Sequence, residues 1–162
     1  MAFQKTRYVA RTLAHKWLVL RFGIRTKAPL WRLLIHDWTK FTPAELPAYA
    51  ARIYGDTHDP TAFAQAWNHH HKRHPHHWEF WIPVTSHMLS DAPAGEPLPM
   101  PEWAVREMVA DWLAATSAYS GKAPANAGEW TWYIENRDTI RLHPETAKLL
   151  DRVMAEYFAT FR

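Results

Sequence analysis

No cysteine occurs among the 162 residues, so the chain forms no disulfide and offers a metal no thiolate; any bound ion must take imidazole, carboxylate or water. Long apolar runs are missing too. None approaches the roughly 18 residues that a membrane-spanning helix needs, and the opening Met1-Ala2-Phe3-Gln4-Lys5 lacks the apolar segment of a signal peptide. A cytoplasmic location without a membrane partner is expected. Strand-like alternation, internal repeats and sustained heptads are likewise absent, which excludes sheet, solenoid and coiled-coil architectures. Charge of one sign is scarce: 19 Lys+Arg against 16 Asp+Glu leave +3, enough to suit an anionic substrate without demanding nucleic acid. No DNA-binding motif is recognisable either.

Against these absences stand 11 histidines and 10 tryptophans. Histidine is the commonest metal ligand. The tryptophans fall at helical spacing, which reads as core packing and assigns them no chemistry. A chain of this length with 48% hydrophobic residues forms one domain, residues 1–162.

Punctuation and period together predict helices. Apolar residues recur at helical spacing from Phe3 to Phe22, with Gly23 as the stop. Pro29 opens a second helix carried by Leu30, Leu33, Leu34, Trp38 and Phe41. Thr42-Pro43-Ala44-Glu45 reads as a capping box for a third, ending at Gly55. Asp59-Pro60 caps a fourth through Lys72, which His74-Pro75 breaks. An aromatic segment follows, His76 to Ile82, then a proline-rich connection from Asp91 to Pro101. Further helices run from Pro101 to Tyr119 with Gly121 as stop, over Glu129 to Arg137, and from Pro144 to Phe161. The fold class expected is all-α, a compact bundle of six to eight helices.

Several titratable residues fall on the apolar faces of these helices, where a charge is costly unless paired or bound to metal. Asp37 follows Leu30, Leu33 and Leu34 at spacings of one helical face, and Lys40 shares that face with His36 and Asp37. His70 repeats the pattern after Phe63, Ala66 and Trp67, with His69 and His71 to either side. Asp111 lies on a strip with Ala104, Met108, Ala114, Ala115 and Ala118, and His15 stands beside Leu18, Val19 and Phe22. His77 precedes Trp81 by one turn. A lone inward histidine is ordinarily a hydrogen-bonded core residue. Histidines and aspartates on the inward faces of several helices match the way bundles build metal sites.

The order His15, then the doublet His36-Asp37, then a distal Asp111 resembles the ligand order of the HD-domain metal-dependent phosphohydrolases. His36-Asp37-Trp38-Thr39-Lys40 is similar to the His-Asp-x-x-Lys form of dinuclear members. The segments HDWTKFTPAE, AWNHHHKRHPHHWEFW, PMPEWAVREMVADWLAA and LHPETAKL resemble, over nearly the whole chain, an uncharacterised family of bacterial and phage proteins filed as a domain of unknown function.

The first resemblance implies an HD-domain-like bundle that hydrolyses a phosphoester with one or two divalent ions, manganese, iron, cobalt, nickel or zinc. It implies His15, His36, Asp37 and Asp111 as ligands of one ion, and His70 and His77 as ligands of a second that Asp37 bridges. His69 or His76 are the alternative ligands. Lys40, aided by Lys72 or Arg73, would contact the phosphate, and Glu45 or Glu79 would orient a ligand or move a proton. The expected partner is a small phosphorylated substrate, a nucleotide or nucleoside monophosphate; homo-oligomers stay open. The alternatives are an HD-fold oxygenase holding two irons and a non-enzymatic module that binds nucleic acid or protein.

Overall fold

A computed structural model describes residues 2–83 and 95–160, and among these no strand occurs. Seven α-helices follow in order, within the expected six to eight: α1 Ala2–Arg25, α2 Leu30–Ile35, α3 Leu46–Tyr54, α4 Pro60–His71, α5 Glu102–Ser120, α6 Thr131–Asn136 and α7 Pro144–Ala159. Single 3-10 turns stand at Trp38–Phe41, Trp78–Trp81, Ala127–Glu129 and Arg137–Thr139. The segment expected as one helix from Glu129 to Arg137 is therefore divided among two such turns and the short α6. The expected connection Asp91–Pro101 lies partly outside the described residues; its part after 94 carries no helix.

The punctuation acts largely as the sequence suggests. The Asp59 carboxylate accepts hydrogen bonds from the Thr61 and Ala62 amides at 2.8 and 3.3 Å, and Pro60 fills the first turn of α4. Gly121 adopts φ 78°, a left-handed residue that closes α5 with its amide on the Ser117 carbonyl.

Helix α5 lies in the middle: Ala104 to Ala110 and Trp112 to Ala114 are all buried, which only a helix covered on every side can achieve. Helices α1 and α7 pack on it, and α1 also carries α2 and α3, with α4 beyond α3. The main core joins Val19 and Phe22 of α1, Leu33 of α2, Val105, Met108 and Leu113 of α5, Trp130, and Val153 and Tyr157 of α7. A smaller cluster of Tyr8, Tyr49, Ala50 and Ala66 ties α1 to α3 and α4.

Three expectations about the first 50 residues need correction. Helix α1 does not stop at Gly23 but continues to Arg25. The glycine is there because α2 presses on it: a Cβ at position 23 would lie 2.3 Å from Leu33 Cδ2. The second helix does not reach Phe41. It ends at Ile35; His36 turns to φ −48°, ψ 131°, and Asp37 takes the left-handed conformation at φ 54° before the chain re-enters a 3-10 turn. The stripe used to place Asp37 inward is consequently not the buried face, since Leu30 and Leu34 are 58% and 62% exposed. Asp37 is buried because the backbone reverses under it. The Thr42–Glu45 capping box also does not form: Thr42 Oγ1 donates to the Thr39 carbonyl, and the Glu45 side chain caps no amide of α3. Its carboxylate is turned to histidines instead.

Gly23→Ala is expected to lose about 1 kcal/mol, because overpacking of about 1–3 kcal/mol exceeds the helix-propensity gain of up to about 1 kcal/mol. Thermal denaturation should show a fall of about 2–4 °C. In a Leu33→Ala background the same substitution should be neutral or stabilising; an equal loss in both backgrounds would mean that the Gly23–Leu33 approach is not the reason for the glycine.

Candidate metal centre

The break after α2 delivers His36 and Asp37 to the point where α1, α4 and α5 converge. Lys16 of α1 holds that break by donating to the carbonyls of Leu34, at 3.2 Å, and His36. His36 and Asp37 are each 1% exposed, and the polar atoms around them come from every element nearby.

On one side, His15 Nε2 of α1 lies 2.8 Å from Asp111 Oδ1 of α5. His36 Nε2 lies 3.5 Å from the same Asp111 oxygen and 3.5 Å from Asp37 Oδ2. His15, His36 and Asp37 each bring an atom within 4.8 Å of the others, and Asp111 adjoins through the two histidines. On the other side, Asp37 Oδ1 is 3.3 Å from His70 Nε2 and 3.4 Å from His76 Nε2, while His77 Nε2 is 3.0 Å from His70 Nε2. These four also form one group of mutual neighbours. Asp37 thus turns one oxygen to each group.

These separations fit a cation. Ligand atoms 2.0–2.2 Å from one first-row ion stand about 3.0–3.5 Å apart across an octahedral or tetrahedral edge. Three of the atoms that face inward, His36 Nε2, Asp37 Oδ1 and His76 Nε2, are buried without a hydrogen-bond partner. Such orphans are rare in native interiors and ask for an ion or water. The buried histidines and carboxylates could therefore hold a metal ion.

The tautomers point the same way. His70 Nδ1 lies 3.0 Å from Glu45 Oε2, and His36 Nδ1 lies 3.0 Å from Glu107 Oε1. A carboxylate only accepts, so both Nδ1 atoms carry hydrogen and the Nε2 edge of each ring faces the centre. Glu107 Oε1 is also 3.2 Å from His76 Nδ1, although not aligned for a hydrogen bond, and Glu107 Oε2 accepts from Arg32 Nε at 2.8 Å. Glu107 therefore braces one histidine of each group. His74 Nε2, 2.6 Å from Thr39 Oγ1, backs His70 with its ring 4.4 Å away.

The electrostatics suit a cation. Burial resists ionisation of Asp37, yet His36, Lys40 and His70 outweigh it and hold the carboxyl well below its usual range. The nearest of these cations is Lys40 Nζ, 2.6 Å from Asp37 Oδ2. Burial likewise opposes ionisation of Asp111, and His15 and His36 overcome it. Burial would keep His36 neutral, but Asp37, Asp111 and Glu107 push it up to about 10, so protons compete for the lone pair that a metal would use. Burial together with His76 and His70 keeps His77 well below its ordinary value, in the neutral form that ligates.

Every histidine and aspartate expected as a ligand thus meets in one cluster, as does the alternative His76. His69 does not; its Nδ1 is 2.7 Å from Glu45 Oε1. Lys72 and Arg73 are exposed at the end of α4, where the Arg73 guanidinium donates to the His69 carbonyl. Glu107, Arg32 and His74 were missed. Glu107 was readable: it stands one turn before Asp111 on the same strip of α5, and the inward-face test applies to it equally. Arg32 and His74 gave no such signal, because a short helix and a break hide their direction.

A cavity of about 730 Å³ opens against this cluster, its wall including His77 and Asp111. Glu79 lines it, with Oε2 lacking a hydrogen-bond partner, whereas Lys40, Lys72 and Arg73 are not on its wall. Trp67, Trp78, Trp112 and Trp132 also line it, and Trp17, Trp31 and Trp38 are more than half exposed. The expectation that the tryptophans serve only as core is therefore corrected: Trp130 is fully buried, but many others face open space.

Fold and site together define an all-helical protein with a buried histidine–carboxylate cluster able to take a metal. The chain matches, over residues 4–156, a family of unknown function (DUF5662), and it belongs to that family. No curated protein and no solved structure matches it. Among the described residues no helix is long and apolar enough to cross a membrane.

Divalent metal is expected to raise the melting temperature and a chelator to reverse the rise; at a hundredfold excess over Kd the gain is about 2.7 kcal/mol. Asp37→Asn should abolish the increment, and Glu107→Gln should weaken binding by about 10–100-fold. Calorimetric titration with manganese and zinc checks both, and full affinity in Asp37→Asn would remove the carboxylate from the site.

Proposed function

We propose that the protein is a metal-dependent phosphohydrolase of the HD type, with a nucleotide or nucleoside monophosphate as substrate. One observation carries this reading: Asp37 stands between two groups of inward-facing ligand atoms, with an oxygen turned to each and unpartnered nitrogens on both sides. Its support is the ligand order along the chain, since His15, His36-Asp37 and Asp111 are the residues that meet on one side, and His70, His76 and His77 stand on the other.

Divalent ions bound there, one or two, would lower the pKa of a bound water from 15.7 to about 7 and offset charge on the phosphoryl oxygens. The chain's own residues do the rest. His15, His36, Asp37 and Asp111 would hold one ion, and Asp37 with His70, His76 and His77 a second. Lys40 keeps Asp37 anionic and fixed, and Glu45 and Glu107 set the direction of the ligating imidazoles. Hydrolysis adds a water oxygen to phosphorus as the ester P–O bond breaks, and the departing alkoxide needs a proton. Glu79, which lines the cavity and whose buried Oε2 has no hydrogen-bond partner, would carry it, whereas Glu45 is occupied with His69 and His70.

Phosphate release measured over nucleoside monophosphates, with manganese, cobalt, nickel, iron and zinc in turn, should give turnover with at least one pair. Asp37→Ala should bring the rate to the uncatalysed background, and Glu79→Gln should lower kcat about 10²–10⁴-fold while leaving metal content unchanged. Silence with every metal rejects the hydrolase reading, and oxygen uptake by iron-loaded protein would replace it with the oxygenase.

A further inference from the structure

A substrate whose phosphate reaches the His77–Asp111 edge of the cluster must place its other atoms in the adjoining cavity. At about 730 Å³ this cavity is of the size that houses small organic ligands, roughly 300–1,000 Å³. It runs from the cluster along α5 to the segment around α6, and its wall is aromatic in a particular way. Trp112 is fixed, 8% exposed, and packs against Trp132 with ring centroids 5.4 Å apart at 56°. Trp132 itself is 39% exposed. Trp67 is 48% exposed, with its ring 4.3 Å from that of His71. Indoles supported by other rings yet open to a concavity offer flat apolar area that a ligand ring can cover.

Charge on this wall narrows the ligand further. Asp111, Glu79 and Glu129 are acidic, and Lys122 is the only Lys or Arg among the described residues that line it. A second or third phosphate, or an oligonucleotide backbone, would meet three carboxylates and, of the guanidinium and ammonium groups that ordinarily bind phosphate, Lys122 alone among the described residues. A ring with hydrogen-bonding edges meets a better match. Asn136 lines the cavity; its Nδ2 donates one hydrogen to the Trp132 carbonyl at 2.8 Å, which leaves a second N–H as a donor and Oδ1 as an acceptor.

Resting on the phosphoester reading, we infer that the cavity binds a planar heteroaromatic ring of nucleobase size, stacked on Trp132 and Trp67, and so selects monophosphate esters of such rings. Stacking on an indole favours a flat aromatic ring over the puckered ring of a bare sugar. The scarcity of cations distinguishes a monophosphate from a triphosphate.

The test is calorimetric titration of the manganese-loaded protein with adenosine, guanosine, cytidine, uridine and ribose, none of which carries a phosphate. At least one nucleoside should bind ten times more tightly than ribose. Trp132→Ala should weaken that nucleoside tenfold or more without altering metal content, and Trp132→Phe should restore most of the affinity. Ribose binding as well as the best nucleoside would overturn the inference, and so would undiminished affinity in both Trp132→Ala and Trp67→Ala. Nucleoside binding that depends on Trp132, in a protein that releases no phosphate, would sink the hydrolase reading and leave the ring site standing. Phosphate release without any nucleoside binding would do the reverse.

Discussion

A carboxylate buried to 1% exposure must be compensated, and the way Asp37 is compensated organises the molecule. Its partners lie on separate elements: Lys40 in the turn that follows, His36 beside it, His70 on α4 and His76 beyond the break after α4. Bringing them within 3.5 Å of Asp37 fixes where α4 ends relative to α2. The same demand explains the left-handed backbone at Asp37, a conformation that costs a non-glycine residue about 1–2 kcal/mol and persists only where surroundings over-determine it. A continued α2 would carry this carboxylate elsewhere.

Two further buried acids extend the arrangement outward. Glu107 links α5 to α2 through Arg32 and His36, and Glu45 links the start of α3 to α4 through His69 and His70. Each orients an imidazole as Lys40 orients Asp37: it fixes which nitrogen carries a hydrogen and where the opposite edge points. Three carboxylates, each braced by cations or donors, therefore set the geometry of a cluster whose histidines come from three segments of chain. The apolar cores hold the helices, but the site is aligned by these polar contacts.

How much of this was legible follows from the kind of signal each residue left. Long helices with caps were readable because Asp59-Pro60 and Gly121 carry a local mechanism that tertiary structure did not override. The cluster was readable because histidines and aspartates recur at positions where neighbours on the same helix are apolar, as His15 does beside Val19 and Phe22. For Asp37 the inward placement was right while its stated cause was not: Leu30 and Leu34 face water, and a backbone reversal that no period reveals turns the carboxylate inward. Glu45 shows the converse failure. Thr-Pro-Ala-Glu satisfies a local rule, but the Thr42 amide already donates to the Thr39 carbonyl, and two histidines a helix away take the carboxylate instead. The tryptophans misled because spacing reports which face a residue occupies, not whether that face meets protein or open space.

The composition of the cluster itself favours ion binding over architecture. A buried ion pair is seldom better for stability than apolar side chains of the same volume, and removing one member is costly because its partner is left unpaired. Here the fold buries Asp37, Glu45 and Glu107 with His36, His70, His74 and His76, and leaves three of their inward atoms without a hydrogen bond. A structural purpose would be met more simply by extending the core of Leu33, Met108 and Leu113 that already surrounds α5. The unpartnered atoms face one another rather than scattering, they belong to the two groups that Asp37 joins, and the edge formed by His77 and Asp111 is the edge open to the cavity. Convergence inward and access from one side are what a bound ion requires, and neither is of use to a core.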